Sequence, residues 1–281
     1  MAVGSLGIAA SGVFIALAEV SPATATFFRC ALAVPALWLL ARRERRRDVP
    51  LPRRAVMVAA MAGVLFAADA LLWTQAVFEV GAGMTAVLVN AQVVIVPILA
   101  LLVDREPIAR TYVLMLPVML GGILLTGGVF ESVSIGTDPL LGTVHALIAA
   151  LCYAVFLFLL RRTGHTGQPV QSYFFILVSA TTVAALRQGM DFAPGWPALG
   201  WLAATAVGGQ LIGWLAVALA APALSSAVNA TILMLVPAGA LGSAALFLDE
   251  NPTQLQLFGC VLMLAGAYIA ATRDDDRRSV G

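Results

Sequence analysis

Apolar residues run along this chain in long blocks separated by short polar stretches. Ten blocks read as helices: residues 2–18, 22–41, 55–78, 81–103, 111–130, 139–160, 170–187, 198–219, 224–248 and 254–272. Their lengths cluster near the ~20 residues needed to cross a bilayer, which predicts membrane spans. Helix is the economical way to satisfy backbone polar groups in lipid over such runs. The breaks carry turn and charge signals, among them "EVSP" (19–22), "RRERRRDVPLPRR" (42–54), "DREPIAR" (104–110), "ESVSIGTDP" (131–139), "RRTGHTGQP" (161–169), "RQGMDFAPGWP" (187–197) and "DENP" (249–252). The first run begins at Met1 without a basic leader, so no cleavable signal peptide is expected. Its roughly 17 residues before Glu19 sit at the lower limit for a span.

Composition sharpens the class. Hydrophobic residues make up 61% of the 281 and charged residues 11%, against about 25% charged in soluble domains. Mean hydropathy is +0.96. No polar segment is long enough to build a separate soluble unit, so a single polytopic membrane domain over 1–281 is expected. The 16 basic residues are all Arg. All but Arg29 and Arg187 fall in the breaks after the second, fourth and sixth runs or in the tail 273–281. An excess of Arg on one side marks the cytoplasmic face, which predicts both termini in the cytoplasm and an inner-membrane location. A net charge of +1 gives no reason to expect nucleic acid. Cys30, Cys152 and Cys260 lie in three different runs, so no disulfide, metal or cofactor is expected.

The two halves repeat one another. Pro22 and Phe27-Phe28 recur as Pro169 and Phe174-Phe175, and Val96-Pro97 as Val236-Pro237 with Asn90 and Asn229 upstream. "DREP" (104–107) echoes "DENP" (249–252), and Gly121 matches Gly266. The expected boundaries are about 1–130 and 139–272. Each half holds five runs, an odd number, so the second must enter the membrane upside down. An inverted repeat of this kind is the design of many secondary transporters, with the site near the midplane between the halves.

These stretches resemble the drug/metabolite transporter superfamily and, within it, the EamA-type exporters of ten helices. The resemblance is carried by "SPATATFFRCALAVPAL" (21–37), "FAADALLWTQAVFEVGAGMTAVLVNAQVVIVPILALLVDREP" (66–107) and "FLDENPTQLQLFGCVLMLAGAYIAAT" (247–272). Ser21, Pro22 and Arg29 match the family's start of the second helix; Asp69 and Trp73 match a D-x-x-x-W in the third. Asn90 and Pro97 match the fourth, and Glu250, Thr253, Gly259 and Gly266 the last loop and helix. Phe247 departs from the family's leucine. The usual Trp-Gly of the first helix appears only as Val3-Gly4, and the first-half motif Asp-Arg-Glu-Pro is shifted against its second copy. The resemblance implies two inverted five-helix repeats around a central cavity and export of small polar metabolites, amino acids being the best-known class.

Several polar residues inside the runs are candidate site residues. At ~1.5 Å per residue Asp69 stands ~20 Å from the inner end of its run, a little past the midplane. A carboxylate there costs roughly 2.5–3.5 kcal/mol on insertion scales, so it should face the bundle interior, where it binds cargo, a proton or a neighbouring helix. Trp73, four residues on, shares that face and offers a cation–π surface or apolar packing. Asn90 and Asn229 precede Pro97 and Pro237; each Asn is a cavity contact or a helix-to-helix hydrogen bond, and each proline a kink that shapes or gates the cavity. His145 is a candidate proton relay, because imidazole titrates near neutrality. Gln210 and Trp214 repeat the polar-then-Trp spacing on the eighth run, opposite Asp69, within the close-packing motif "GQLIG" (209–213). Arg29 reads as a snorkelling side chain near the outer end of its run, within reach of Glu19. Tyr153 reads as core, and Glu79 and Glu250 as structural.

The expected function is a secondary transporter that exports a small-molecule substrate by alternating access, with proton coupling a separate hypothesis and a monomer or homodimer in the bilayer. A drug-cation exporter and a non-transporting scaffold or sensor are the alternatives. An intramembrane enzyme is disfavoured, since the runs hold no HExxH and no GxGD.

Overall fold

Residues 2–47, 50–105, 110–126, 137–164, 168–216 and 235–278 are described by the structure, a computed structural model. All regular elements among them are helical. They are α1 (Ala2–Ala18), α2 (Pro22–Ala31, resumed at Val34–Arg47), α3 (Arg53–Val80) and α4 (Ala82–Leu88, a 3₁₀ turn at Val89–Ala91, then Gln92–Asp104). Next come α5 (Arg110–Thr126), α6 (Pro139–Gly164), α7 (Pro169–Ala185) and α8 (Trp196–Ala204, continued as a π-helix over Thr205–Trp214). The last two are α9 (Leu235–Phe247) and α10 (Gln254–Arg278). Pro22–Arg46, Arg53–Val80, Ala82–Val103 and Pro139–Leu159 are each long and apolar enough to cross a bilayer. Gly4–Ala18, Arg110–Thr126, Pro169–Ala185, Leu235–Phe247 and Gln254–Ala270 are shorter apolar helices.

Local chemistry explains the boundaries. Pro22 and Pro169 open α2 and α7, where a missing N–H breaks no intrahelical bond. Ser21 caps α2 by accepting the Thr24 N–H at 3.2 Å. Two helices run furthest past the ends that the apolar pattern predicts. α2 carries on through the basic stretch to Arg47, and α10 to Arg278. Arg and Glu are good helix formers, and hydrophobicity marks where a helix leaves the apolar layer rather than where it ends. Arg42 lies over the Trp38 ring at 5.3 Å, one turn back.

The helix pairings repeat under exchange of the two halves. α3 packs along α6 as α8 packs along α1, and α4 contacts α6 as α9 contacts α1. α2 meets its own counterpart α7, α4 meets α9, and α5 meets α10. Small residues permit these approaches. A Cβ on Gly4 would lie 2.9 Å from the Gly213 carbonyl oxygen, and one on Gly213 2.6 Å from Ile8 Cγ1, so α1 and α8 touch backbone to backbone. Gly122 and Gly259 do the same for α5 and α10. Gly121 and Gly266, a matched pair in the sequence, differ in space. A Cβ at Gly121 meets nothing within 4 Å, whereas one at Gly266 would lie 2.8 Å from Met119 Cγ.

Carboxylates and hydroxyls tie one half to the other at the helix ends. Glu44, in the polar end of α2, accepts the Val170 and Gln171 N–H groups that open α7, at 3.1 and 2.8 Å. The segment after α7 returns to the start of α2: Ser21 Oγ donates to the Gly189 carbonyl at 2.6 Å, and the Asp191 N–H donates to Thr24 Oγ1 at 2.9 Å. Glu250 accepts the Ala82 and Gly83 N–H groups that open α4, at 2.6 and 3.0 Å. The two carboxylate links, at Glu44 and Glu250, satisfy donors that a helix N-terminus leaves unpaired.

Candidate functional site

A cavity of about 220 Å³ lies where α1, α2, α3, α4, α6, α8 and α9 converge. Asp69 and Trp73, one turn apart on α3, reach it together with Phe66 from the turn before. Asp69 is 8% exposed, and its Oδ1 has no hydrogen-bond partner among the described residues. The α3 positions face inward because the opposite side of the helix, including Met57, Met61 and Val64, is apolar and exposed on the bundle's outer surface.

α4 enters with Asn90, which sits in the 3₁₀ turn that interrupts the helix; its Nδ2 donates to the Ala86 carbonyl at 2.8 Å. The break in α4 is therefore at Asn90 itself. Pro97 lies further on, inside the helical stretch Gln92–Asp104. Gln92 also lines the cavity.

Gln210 and Trp214 come from the π-helical part of α8. A π-helix has a wider turn than an α-helix and is enriched at functional sites. Two glycines in this stretch, Gly209 and Gly213, remove side chains that would crowd Ser11 and Ile8 of α1. Gln210 is fully buried. With its amide oxygen toward the guanidinium it accepts Arg29 Nε and Nη2 at 2.9 and 2.7 Å, and its amide nitrogen donates to Tyr173 Oη at 2.7 Å. The reverse orientation would point NH₂ at guanidinium donors.

Arg29 is the residue that sequence reasoning misplaced. It does not snorkel and does not pair with Glu19. It is 8% exposed and lines the cavity, with its guanidinium 5.5 Å from the centroid of the Trp73 ring and 6.0 Å from that of Phe66. The available signal was its position as one of two arginines off the basic face. Arg29 and Asp69 both line the cavity, but no ion pair joins them among the described residues. Tyr153, expected in the core, is also at the cavity wall, edge-on to Trp214 with ring centroids 5.7 Å apart.

His145 is elsewhere. Its Nδ1 lies 2.5 Å from Glu79 Oε2, at the end of α3 remote from Arg53. Gln75 donates to the other Glu79 oxygen at 2.6 Å, so these three residues form a closed group apart from the cavity-lining set. Pro237 is buried near the start of the described part of α9, next to the lining residue Val236. Asn229 lies outside the described residues.

A family model, the EamA-like transporter family, matches residues 1–128 and again 140–272. The chain belongs to that family. This EamA-like protein is accordingly a multi-pass membrane transporter of small molecules built from two repeats. A solved crystal structure superposes on it with a TM-score of 0.68 at 14% identity, covering 98% of this chain and 96% of the other. At that identity the likeness concerns the fold. No curated protein matches the EamA-like chain.

Proposed function

We infer that this EamA-like protein is a secondary transporter exporting small polar metabolites, amino acids or related compounds, across the cytoplasmic membrane by alternating access. One observation carries the reading: a central cavity lined by an arginine and an aspartate between which no ion pair forms among the described residues. Two opposite charges left unpaired in a mostly apolar wall are costly unless a solute or water meets them. The cavity's ~220 Å³ lies below the ~300–1,000 Å³ usual for drug-sized ligands, which favours a small metabolite over a drug cation. Arg29 also repels a simple cation from the site that Asp69 and Trp73 would otherwise offer.

In this reading Asp69, Trp73, Asn90, Gln210, Trp214 and the undescribed Asn229 contact cargo between the repeats. The whole chain acts as one membrane domain with cytoplasmic termini. Pro97 and Pro237 belong to the moving parts, and His145 holds the end of the bundle rather than the cargo. Proton coupling through Asp69 is a separable part of the proposal.

The test is uptake into proteoliposomes against a panel of amino acids and organic cations, with and without a pH gradient, for wild type and Asp69→Asn. Saturable, chain-dependent uptake of a metabolite supports transport. Uptake restricted to organic cations would favour the drug-exporter alternative, and no uptake of any solute would favour a scaffold. Proton coupling is abandoned should Asp69→Asn keep the wild-type pH dependence.

A further inference from the structure

The Arg29 guanidinium is held in an unusual way for a buried arginine. Buried charges are normally paired with an opposite charge, yet among the described residues its direct polar partner is a neutral amide. Gln210 takes two of its donors, and Tyr173 fixes Gln210 from behind. Trp73 and Phe66 flank the guanidinium at 5.5 and 6.0 Å, which restricts its rotamers. A guanidinium carries five N–H donors in a planar fork that matches a carboxylate. An acceptor that uses two of them without cancelling the charge leaves a positioned, charged, under-satisfied donor set at a cavity wall. Among the described residues Asp69, the acidic side chain of that cavity, does not close an ion pair with it, and its Oδ1 has no hydrogen-bond partner.

We propose that Arg29, positioned by Gln210, is the anion-binding subsite of the cavity: it receives a carboxylate of the cargo, while Asp69 receives a cationic group on the same molecule. Trp73, Tyr153 and Trp214 then form an apolar wall for the remainder of the solute. The subsite selects zwitterions over the corresponding amines. It rests on the transport reading only in taking the solute bound here to be cargo.

The test uses the purified full chain in nanodiscs and in proteoliposomes, with two matched probe sets. One is phenylalanine, phenethylamine and 3-phenylpropionate; the other is leucine, isopentylamine and 4-methylpentanoate. Binding is read by tryptophan fluorescence and calorimetry, and transport by counterflow. In the wild type the amino acid binds more tightly than its amine or its acid. Arg29→Gln weakens amino acid and acid by about 10- to 100-fold, the range for losing charge-assisted hydrogen bonds, and leaves the amine within about threefold. Gln210→Glu places a carboxylate against the guanidinium and abolishes preference for the amino acid over the amine. Arg29→Lys recovers part of the affinity, because it keeps the charge and loses the fork. Thermal unfolding of each variant shows that it is folded, and the amino acid-to-amine affinity ratio is the readout that a purely structural Arg29 would not move.

The proposal is overturned if Arg29→Gln weakens all three members of a set equally, or if neither carboxylate-bearing probe of either set binds the wild type. Carriage of amines with no Arg29 effect leaves transport standing and removes the subsite. Arg29-dependent binding of carboxylates without counterflow leaves the subsite standing and removes transport.

Discussion

Glu250 separates the worth of a hydrogen-bond acceptor from the cost of a charge. Its two carboxylate oxygens accept the Ala82 and Gly83 N–H groups at 2.6 and 3.0 Å, joining the turn after α9 to the start of α4 in the other half. Hydrogen bonds to a charged group contribute about 1.5–3 kcal/mol each, which would suggest a loss of several kcal/mol on removal. Desolvation works against that sum. Burial pushes the Glu250 carboxyl above its ordinary 4.5, more than the two backbone donors pull it down. The ionised form is therefore less favourable in the folded protein than in the unfolded chain. Glu250→Ala orphans two N–H groups but relieves the buried charge, so its net cost should be close to that of losing a helix cap, about 2 kcal/mol. Glu250→Gln keeps one acceptor and no charge, and should lose less than half as much.

The sign with pH follows from the same shift. A carboxyl raised on folding contributes stability that is full below its ordinary value of 4.5 and is lost as pH rises through the raised value. Thermal unfolding of the purified protein in detergent, at several pH values upward from the ordinary carboxylate range, measures both effects. Glu250→Ala should unfold roughly 4–8 °C below wild type, and Glu250→Gln should remove part of the wild-type decline with rising pH. A Glu250→Gln variant as unstable as Glu250→Ala, with the pH profile unchanged, would refute the reasoning.

Three further outcomes are expected. Gly213→Leu should destabilise by about 1–3 kcal/mol through overpacking, since its side chain would meet Ile8 at the α1–α8 contact; Gly121→Ala, with open space around it, should stay within about 0.5 kcal/mol, and the two unfolding curves compare them directly. His145→Ala leaves the buried Glu79 carboxylate without one partner and should cost about 1–3 kcal/mol while solute affinity stays unchanged; a selective loss of binding would return His145 to the site. Trp214→Ala, which opens the wall against Tyr153 and Phe156, should weaken solutes with an apolar side chain more than glycine, read as the ratio of their dissociation constants.

Much of the architecture is legible in the order of residues. Ten apolar runs, arginine concentrated in alternate breaks, and "P…FF", "N…VP" and "D-x-E/N-P" repeated across the halves specify a helical membrane bundle of two repeats. They do so because lipid penalises unpaired backbone and charge on a scale that every run must obey. Asp69 and Trp73 were readable as an inward face because i, i+4 periodicity is local. Gln210 and Trp214 were readable because the halves resemble each other.

What the sequence could not decide are relations set by packing between helices distant in the chain. Arg29 and Gln210 stand 181 positions apart, and only the α2–α7–α8 arrangement brings guanidinium, amide and Tyr173 hydroxyl together. His145 and Asp69 both looked like intramembrane titratable groups, yet one lies against Glu79 and the other opens on the cavity. Hydropathy measures how costly a polar side chain is in lipid. It does not say which neighbour relieves that cost, and this choice is made by the geometry of the assembled bundle.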